Sequence, residues 1–407
     1  MKISALAAAA VIGMAVGANA AGFRLAEQDA KATAMGDSFV AVADNPSAVW
    51  YNPAAMTDLE KTNLSLGSAM VYPQMKHEYA GGSDKIARVM HVPPYFYATH
   101  RLNEKWALGF GFNAPFGLST DWKYNSATAG VATYSDIEDF NYNLNAAYKV
   151  NDKLSVAAGA DYMYLEAKLY NSALRLNGNG HGWGYNAAAF YKLNDKWNFG
   201  ANYRSPVKID VDGTATAMAY VPGDSNSATT KITLPDTLQV GAAYKVDQKW
   251  KVSATADYTD WATYHALAVK SKTITDMTTA LDAFYFGTYG IHYPISDTSI
   301  KNKDWQSVWA LRAGTEYKYS DAWSFRAGAF YDFNPVKDKY FDTIIPDSDR
   351  VAFSVGAGWT KDNIVVDASY AYVFFVNRKI SGNTTPSLDG TYKCNAQVPA
   401  INVGYKF

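Results

Sequence analysis

Few residues in this chain are spaced for covalent or metal chemistry. The six histidines, His77, His91, His100, His181, His265 and His292, are scattered without metal-ligand spacing, and no glycine-flanked serine or phosphate-cradling glycine loop occurs. The sequence therefore predicts no enzyme, no metal and no cofactor. The spacings that stand out suit apolar and packing roles. Pro115, Phe116, Gly117 and Leu118 interrupt a segment that alternates cleanly through Trp106, Leu108, Phe110 and Phe112. Proline lacks a ladder donor and glycine permits a sharp bend, so either a break in the strand or a β-bulge beside a loop is expected there. Asn52, Pro53 and Ala54 lie in a stretch that does not alternate, where the amide can bond inside a packed segment and the proline fixes a turn. Met277, Leu281 and Phe284 share helical spacing, with Phe286, Tyr289 and Tyr293 close by, which predicts an amphipathic helix. Arg204 and Arg326 could attract a carboxylate or pair with neighbouring acids.

The elements that must position these residues are strands. Phe140, Tyr142, Leu144, Ala146 and Tyr148 alternate with Asp139, Asn141, Asn143 and Asn145, leaving one apolar face and one amide face. Trp250 to Tyr258, Trp323 to Phe333 and Ile364 to Val376 repeat the pattern. Charges on the polar faces would not be tolerated in a dry core, but a wet or plugged lumen tolerates them. Short polar turns recur, each followed by a large apolar residue: Asn103-Glu104-Lys105-Trp106, Asn151-Asp152-Lys153-Leu154, Asn194-Asp195-Lys196-Trp197, Asp247-Gln248-Lys249-Trp250, Ser320-Asp321-Ala322-Trp323 and Lys361-Asp362-Asn363-Ile364. They read as hairpin turns on the periplasmic side, with tryptophan in an interface girdle. On that basis strands fall near 62–75, 89–101, 106–120, 136–150, 154–170, 181–193, 197–210, 231–246, 249–262, 305–319, 322–334, 350–360, 363–377 and 396–407. Fourteen is even, as single-chain bacterial barrels require, and most of these strands are long enough to cross a bilayer at a tilt. The expected fold is an all-β transmembrane protein, a 14-stranded antiparallel β-barrel over residues 62–407, whose last strand ends Ile401, Val403, Tyr405, Phe407 on one face.

Composition agrees. Aromatics make up 15% of the chain, with 30 Tyr and 11 Trp, while the mean hydropathy of −0.21 is slightly polar, the combination an alternating barrel requires. A net charge of −1 offers no basic field for nucleic acid, and the single cysteine, Cys394, excludes an intramolecular disulfide. Lys2, the apolar run Ile3 to Val16 and Ala18-Asn19-Ala20 read as a signal peptide over residues 1–20, cleaved after Ala20. Residues 21–61 contain Asn45-Pro46 and Asn52-Pro53 and read as short helical turns. A barrel of this width has an open lumen unless something fills it, and this segment is the candidate plug, or hatch.

At this point the residues resemble the FadL/TodX-type (OmpP1/FadL) outer-membrane transporters of long-chain fatty acids and other hydrophobic compounds. The likeness rests on Ala21-Gly22-Phe23, Tyr51-Asn52-Pro53-Ala54-Ala55, Ala114-Pro115-Phe116-Gly117-Leu118, Tyr203 to Asp210, Leu234-Pro235-Asp236 and Ile345 to Arg350, six motifs in the family's order. The resemblance implies a hatch within a fourteen-stranded barrel in the outer membrane of a Gram-negative cell, a third strand kinked inward, and passive lateral release of a fatty acid or hydrocarbon. It places Phe23 against the ligand and assigns Asn52, Pro53 and Ala54 to the hatch, with a structural or a gating role. It also implies a monomer, with outer-membrane lipid and lipopolysaccharide as surroundings. This sequence departs in its outer loops: the third, near Asn171 to Gly180, is short, and the fifth, 263–304, is long. The helix carrying Met277, Leu281 and Phe284 is expected either to capture ligand at the surface or to lie over the barrel mouth. A general porin or a surface receptor or adhesin is the alternative; a porin has no reason to carry a forty-residue plug, and an adhesin would usually show larger outer loops.

Overall fold

The structure, a computed structural model, describes residues 22–407. The expected signal peptide and its cleavage site lie outside the described residues. Fourteen antiparallel wall strands close into a barrel, several of them broken into two segments. Closure pairs strand one (Thr62–Ala69) with strand fourteen (Gly390–Lys406), from Asn63 opposite Lys406 to Ala69 opposite Ala400. The wall is inverted relative to a soluble protein. On strand four (Tyr134–Lys149) the amides of Asn141, Asn143 and Asn145 are buried, while Tyr142 and Leu144 face outward and exposed. Such a wall is stable only with lipid outside it. No described helix is long and apolar enough to cross a membrane.

The repeated turn motif has a local cause. Asn103 Oδ1 accepts from the backbone N–H groups of Lys105 and Trp106 at 2.9 and 3.0 Å, and Asn194 and Asp247 do the same for Trp197 and Trp250. The side chain substitutes for a backbone turn and delivers an indole to the outer surface. There it meets the neighbouring strand's tyrosine, Trp106 on Tyr148 at 4.7 Å and Trp197 on Tyr244 at 4.6 Å.

Several strand starts differ from the periodic reading. Strand six begins at Leu174 rather than 181, strand eight at Ser225 rather than 231, and strand fourteen at Gly390 rather than 396. These extensions continue past the alternating apolar runs, and glycines and asparagines between Asn177 and Gly182 conceal a ladder that pairs them with both neighbours. Strand two instead starts late, at Pro94, because Pro93 and Pro94 have no N–H to give. The third outer loop is consequently shorter than expected, since Leu174 already belongs to strand six. The fifth loop is partly regular: Ala266–Ser271 pairs with Thr298–Asn302 and carries a helix, Lys272–Tyr289.

Ahead of strand one, residues 22–58 fill the lumen with two short helices, Ala30–Ala34 and Ala48–Tyr51, and a 3-10 turn, Pro53–Asp58. Asp29 caps the first, accepting from Ala32 N at 3.0 Å, and burial pushes its carboxyl up to about 6. The wall facing this hatch lacks side chains where the hatch comes closest. A Cβ on Gly241 would lie 2.7 Å from Val40 Cγ1, so a larger residue there would push the plug out of register.

Candidate functional site

Strand three breaks where the sequence breaks. Its lower segment, Trp106–Asn113, pairs with strand four as far as Asn113 opposite Asn141, and its upper segment, Gly117–Asp121, resumes at Gly117 opposite Glu138. Four steps on one strand therefore span three on the other, a bulge with one extra residue. Within it Phe116 N–H donates to Asp139 Oδ1 at 2.7 Å, so a side chain stands in for the missing ladder bond. Of the two sequence alternatives the register shows a bulge, and Phe116 within it is buried at 4% exposure.

The other edge of strand three is unusual. Its ladder with strand two stops at Phe112 opposite Phe96. Above that point the chain's own amino-terminal residues take strand two's place. Leu25 N–H donates to Pro115 O at 2.8 Å, Gly117 N–H donates to Phe23 O at 2.9 Å, and Arg24 forms an antiparallel bridge with Phe116. Gly22 fixes the approach with φ +61° and with Trp261 ring carbons 2.7 Å from where a Cβ would sit, so no larger residue fits. Its N–H donates to Asp347 Oδ2 at 2.9 Å, and Arg350 Nη2 donates to its carbonyl at 2.6 Å.

Phe23 is thereby held in an aromatic cage, its ring centroid 4.7 Å from Trp261, 5.8 Å from Phe116, 6.2 Å from Trp305 and 6.4 Å from Tyr264. Beside it lies a cavity of about 350 Å³ lined by Phe23, Leu25, Phe116, Gly117, Leu118 and Phe375 among other mostly apolar residues. Strand four lines this cavity with both of its faces. Ile137 and Asp139 point inward and are buried, whereas Glu138 and its period-two neighbours Asp136 and Phe140 face out.

Gln28, 2% exposed, ties this region to the hatch. Its side-chain amide donates to Leu25 O at 3.1 Å and Ala114 O at 3.0 Å, and its Oε1 accepts from Asn113 Nδ2 at 3.2 Å. Asn113 Oδ1 in turn accepts from Asn141 Nδ2 at 3.1 Å. Buried polar groups so arranged specify one geometry, since each loses a partner if another moves.

Of the expected residues, the structure brings Phe23, Phe116, Gly117 and Leu118 to one cavity, with Pro115 on an adjoining smaller one. Asn52, Pro53 and Ala54 lie elsewhere in the hatch. Asn52 Nδ2 bridges Val40 O at 2.8 Å and Ala189 O of strand six at 3.0 Å, its Oδ1 accepts from Ala54 N, and Pro53 opens the 3-10 turn. Met277, Leu281 and Phe284 line no part of the cavity; Met277 is buried and Phe284 stands exposed on the outer helix. Arg204 and Arg326 are both paired. Arg204 sits 2.6 Å from Asp161, donates to Trp50 O at 2.8 Å and stacks over the Trp50 ring at 3.8 Å. Arg326 lies 2.6 Å from both Glu316 and Asp367. Sequence reasoning missed Gln28, Asp139 as a bulge acceptor, and the cage tryptophans. Trp261 and Trp305 carried one usable signal: unlike the girdle tryptophans, neither directly follows a periplasmic turn motif.

Comparison with known proteins agrees with this architecture. Residues 11–407 match the family described as outer membrane protein transport protein (OMPP1/FadL/TodX). The long-chain fatty acid transport protein of Salmonella typhi is 26% identical over 454 residues, covering 99% of this chain and 97% of its own. Among solved structures, a Pseudomonas aeruginosa FadL homologue superposes with a TM-score of 0.82 at 20% identity, covering 95% of this chain and 100% of its own. The Ralstonia pickettii toluene transporter TbuX gives 0.69 at 17% identity over 93% and 98%. The chain is an outer-membrane β-barrel belonging to the OMPP1/FadL/TodX family of outer membrane transport proteins.

Proposed function

We propose that this protein carries hydrophobic small molecules across the outer membrane by passive diffusion, with the cavity beside Phe23 as the internal binding site and the bulge at 114–118 as a lateral exit into the bilayer. The observation that carries this reading is the cavity's lining by both faces of strand four, beside the bulge at 114–116 that interrupts its ladder with strand three. The names of two relatives, a long-chain fatty acid transport protein and a toluene transporter, support the cargo class. No cofactor is required, because entry into lipid buries the cargo's apolar surface, at roughly 25 cal/mol per Å². A hatch packed against the wall on several sides argues against a general water-filled pore. Capture begins, on this reading, at the outer helix, whose exposed Phe284, Phe286 and Tyr289, with Tyr293 just beyond it, offer apolar contact to ligand in the medium.

The test is Gly117→Arg. Gly117 lies 3.1 Å, measured from an ideal Cβ, from Leu25 Cδ1, so a long side chain there must enter the cavity or the gap. Uptake of labelled oleate and labelled toluene into cells lacking their own channel should be stimulated by the wild type and lost in Gly117→Arg, with heat-modifiable migration of the folded barrel preserved. Normal transport by that variant would refute lateral exit.

A further inference from the structure

The charged groups of the Phe23 cavity are unequally matched. Two guanidiniums line it, Arg24 and Arg350, and each is already held by a carboxylate. Arg24 Nη1 lies 2.8 Å from Asp257 Oδ1 and donates also to Thr259, and Arg350 Nη2 lies 2.8 Å from Asp347 Oδ1. Five carboxyl groups line the same space: Asp347, which holds Arg350; Asp136, 3.9 Å from Lys168 Nζ; and Glu27, Glu138 and Asp139. No lysine is among the described lining residues. Asp139 uses one oxygen on the Phe116 amide, and its other oxygen is buried without a hydrogen-bond partner.

From this imbalance we propose that the cavity selects uncharged hydrophobic molecules, such as hydrocarbons and alcohols, over ionised carboxylates, with Glu27 as the residue that sets the preference. The inference rests on the reading that this cavity holds the cargo. A carboxylate entering it gives up its hydration and gains no free cation in return, which is unfavourable by itself. It also meets Glu27. Two like charges about 6 Å apart, at an effective dielectric constant of about 20, repel enough to weaken binding on the order of 100-fold. An alcohol of the same chain length meets neither penalty, and its hydroxyl can donate to the unpartnered Asp139 oxygen.

The experiment uses a matched pair, octanol and octanoate, with equal chains and different heads. Binding of each to the purified, folded full-length protein is measured by calorimetry at neutral pH, where octanoate is ionised. Octanol is expected to bind on the order of 100-fold more tightly. Glu27→Gln should narrow that ratio by roughly tenfold. Octanol binding itself reports that the variant is folded. Octanoate binding as tightly as octanol, or a ratio that Glu27→Gln does not narrow, overturns the selectivity while leaving the cargo site standing. Binding of neither probe would remove the cargo reading and the selectivity together.

Discussion

Gln28→Leu isolates the link between hatch and bulge. The substitution keeps the side chain's bulk and both backbone contacts, in which Gln28 N–H donates to Tyr51 Oη and its carbonyl accepts from Tyr97 Oη. It removes three hydrogen bonds, leaving Asn113 Nδ2 without its acceptor and the carbonyls of Leu25 and Ala114 without the Gln28 amide. At roughly 1 kcal/mol for each net bond the loss is about 3 kcal/mol, and stranded buried groups raise rather than lower that figure. The loss falls locally, since no wall-strand pairing includes Gln28. The barrel should therefore assemble while the amino-terminal strand detaches more often. Amide hydrogen exchange reads this directly at Leu25 and Gly117, whose N–H groups bond across the junction. A local opening made easier by about 3 kcal/mol speeds exchange at those two amides on the order of 100-fold, with amides of strands ten to thirteen unchanged. Gln28→Glu keeps the acceptor for Asn113 but not the donor, and should fall between. If Leu25 and Gly117 exchange in Gln28→Leu as slowly as in the wild type, the side chain does not couple hatch and bulge.

Three further perturbations test other parts of the design. Arg204→Met leaves Asp161 buried without its partner and takes two donated bonds from the hatch carbonyls of Val49 and Trp50, a destabilisation of about 3–5 kcal/mol; single-channel conductance in planar bilayers should rise as the plug loosens, and unchanged conductance would show that the plug is held elsewhere. Leu281→Asp combined with Phe284→Asp should slow uptake at low ligand concentration, where capture limits the rate, and equal uptake at all concentrations would remove the outer helix from the pathway. Asp29 supplies the pH dependence. Its folded value of about 6 lies above the ordinary 3.8, so the folded state binds the extra proton and the hatch is more stable at low pH, losing that advantage as pH rises from about 4 through 6. The difference amounts to roughly 3 kcal/mol, so Asp29→Asn should flatten urea stability across that window, and an unchanged pH profile would show that the cap titrates normally.

How much of this was visible in the sequence follows from the range over which each feature is encoded. The wall was legible because it is written locally. A lipid face opposite a polar lumen imposes period two, and five of the six periplasmic turns carry an Asn, Asp or Ser whose oxygen caps the residues that follow, as at Asn103 and Ser320. Where lipid no longer applies the constraint, as at Leu174–His181, the strand persists on backbone pairing alone and the pattern fades. The break at Pro115 and Gly117 was legible too, since both residue types act on their own backbone.

What holds the break open was not legible. Gln28 meets Ala114 across 86 positions, Gly22 meets Asp347 across 325, and Arg24 meets Asp257 across 233. None of these pairs leaves a mark within a window of neighbouring residues, and an isolated glutamine in an alanine-rich stretch reads as solvent-facing until the wall closes around it. The same holds for charge. Arg204 and Arg326 read equally well as receptors for a carboxylate or as structural partners, and only the positions of Asp161, Glu316 and Asp367 decide the matter. Once these arginines are paired, and the cavity's own Arg24 and Arg350 are found paired as well, a fatty-acid head group has no obvious anchor beside Phe23. Family membership establishes an outer membrane transport protein; the arrangement of a few buried carboxylates, which no stretch of sequence displays, bears on which hydrophobic cargo the cavity accepts.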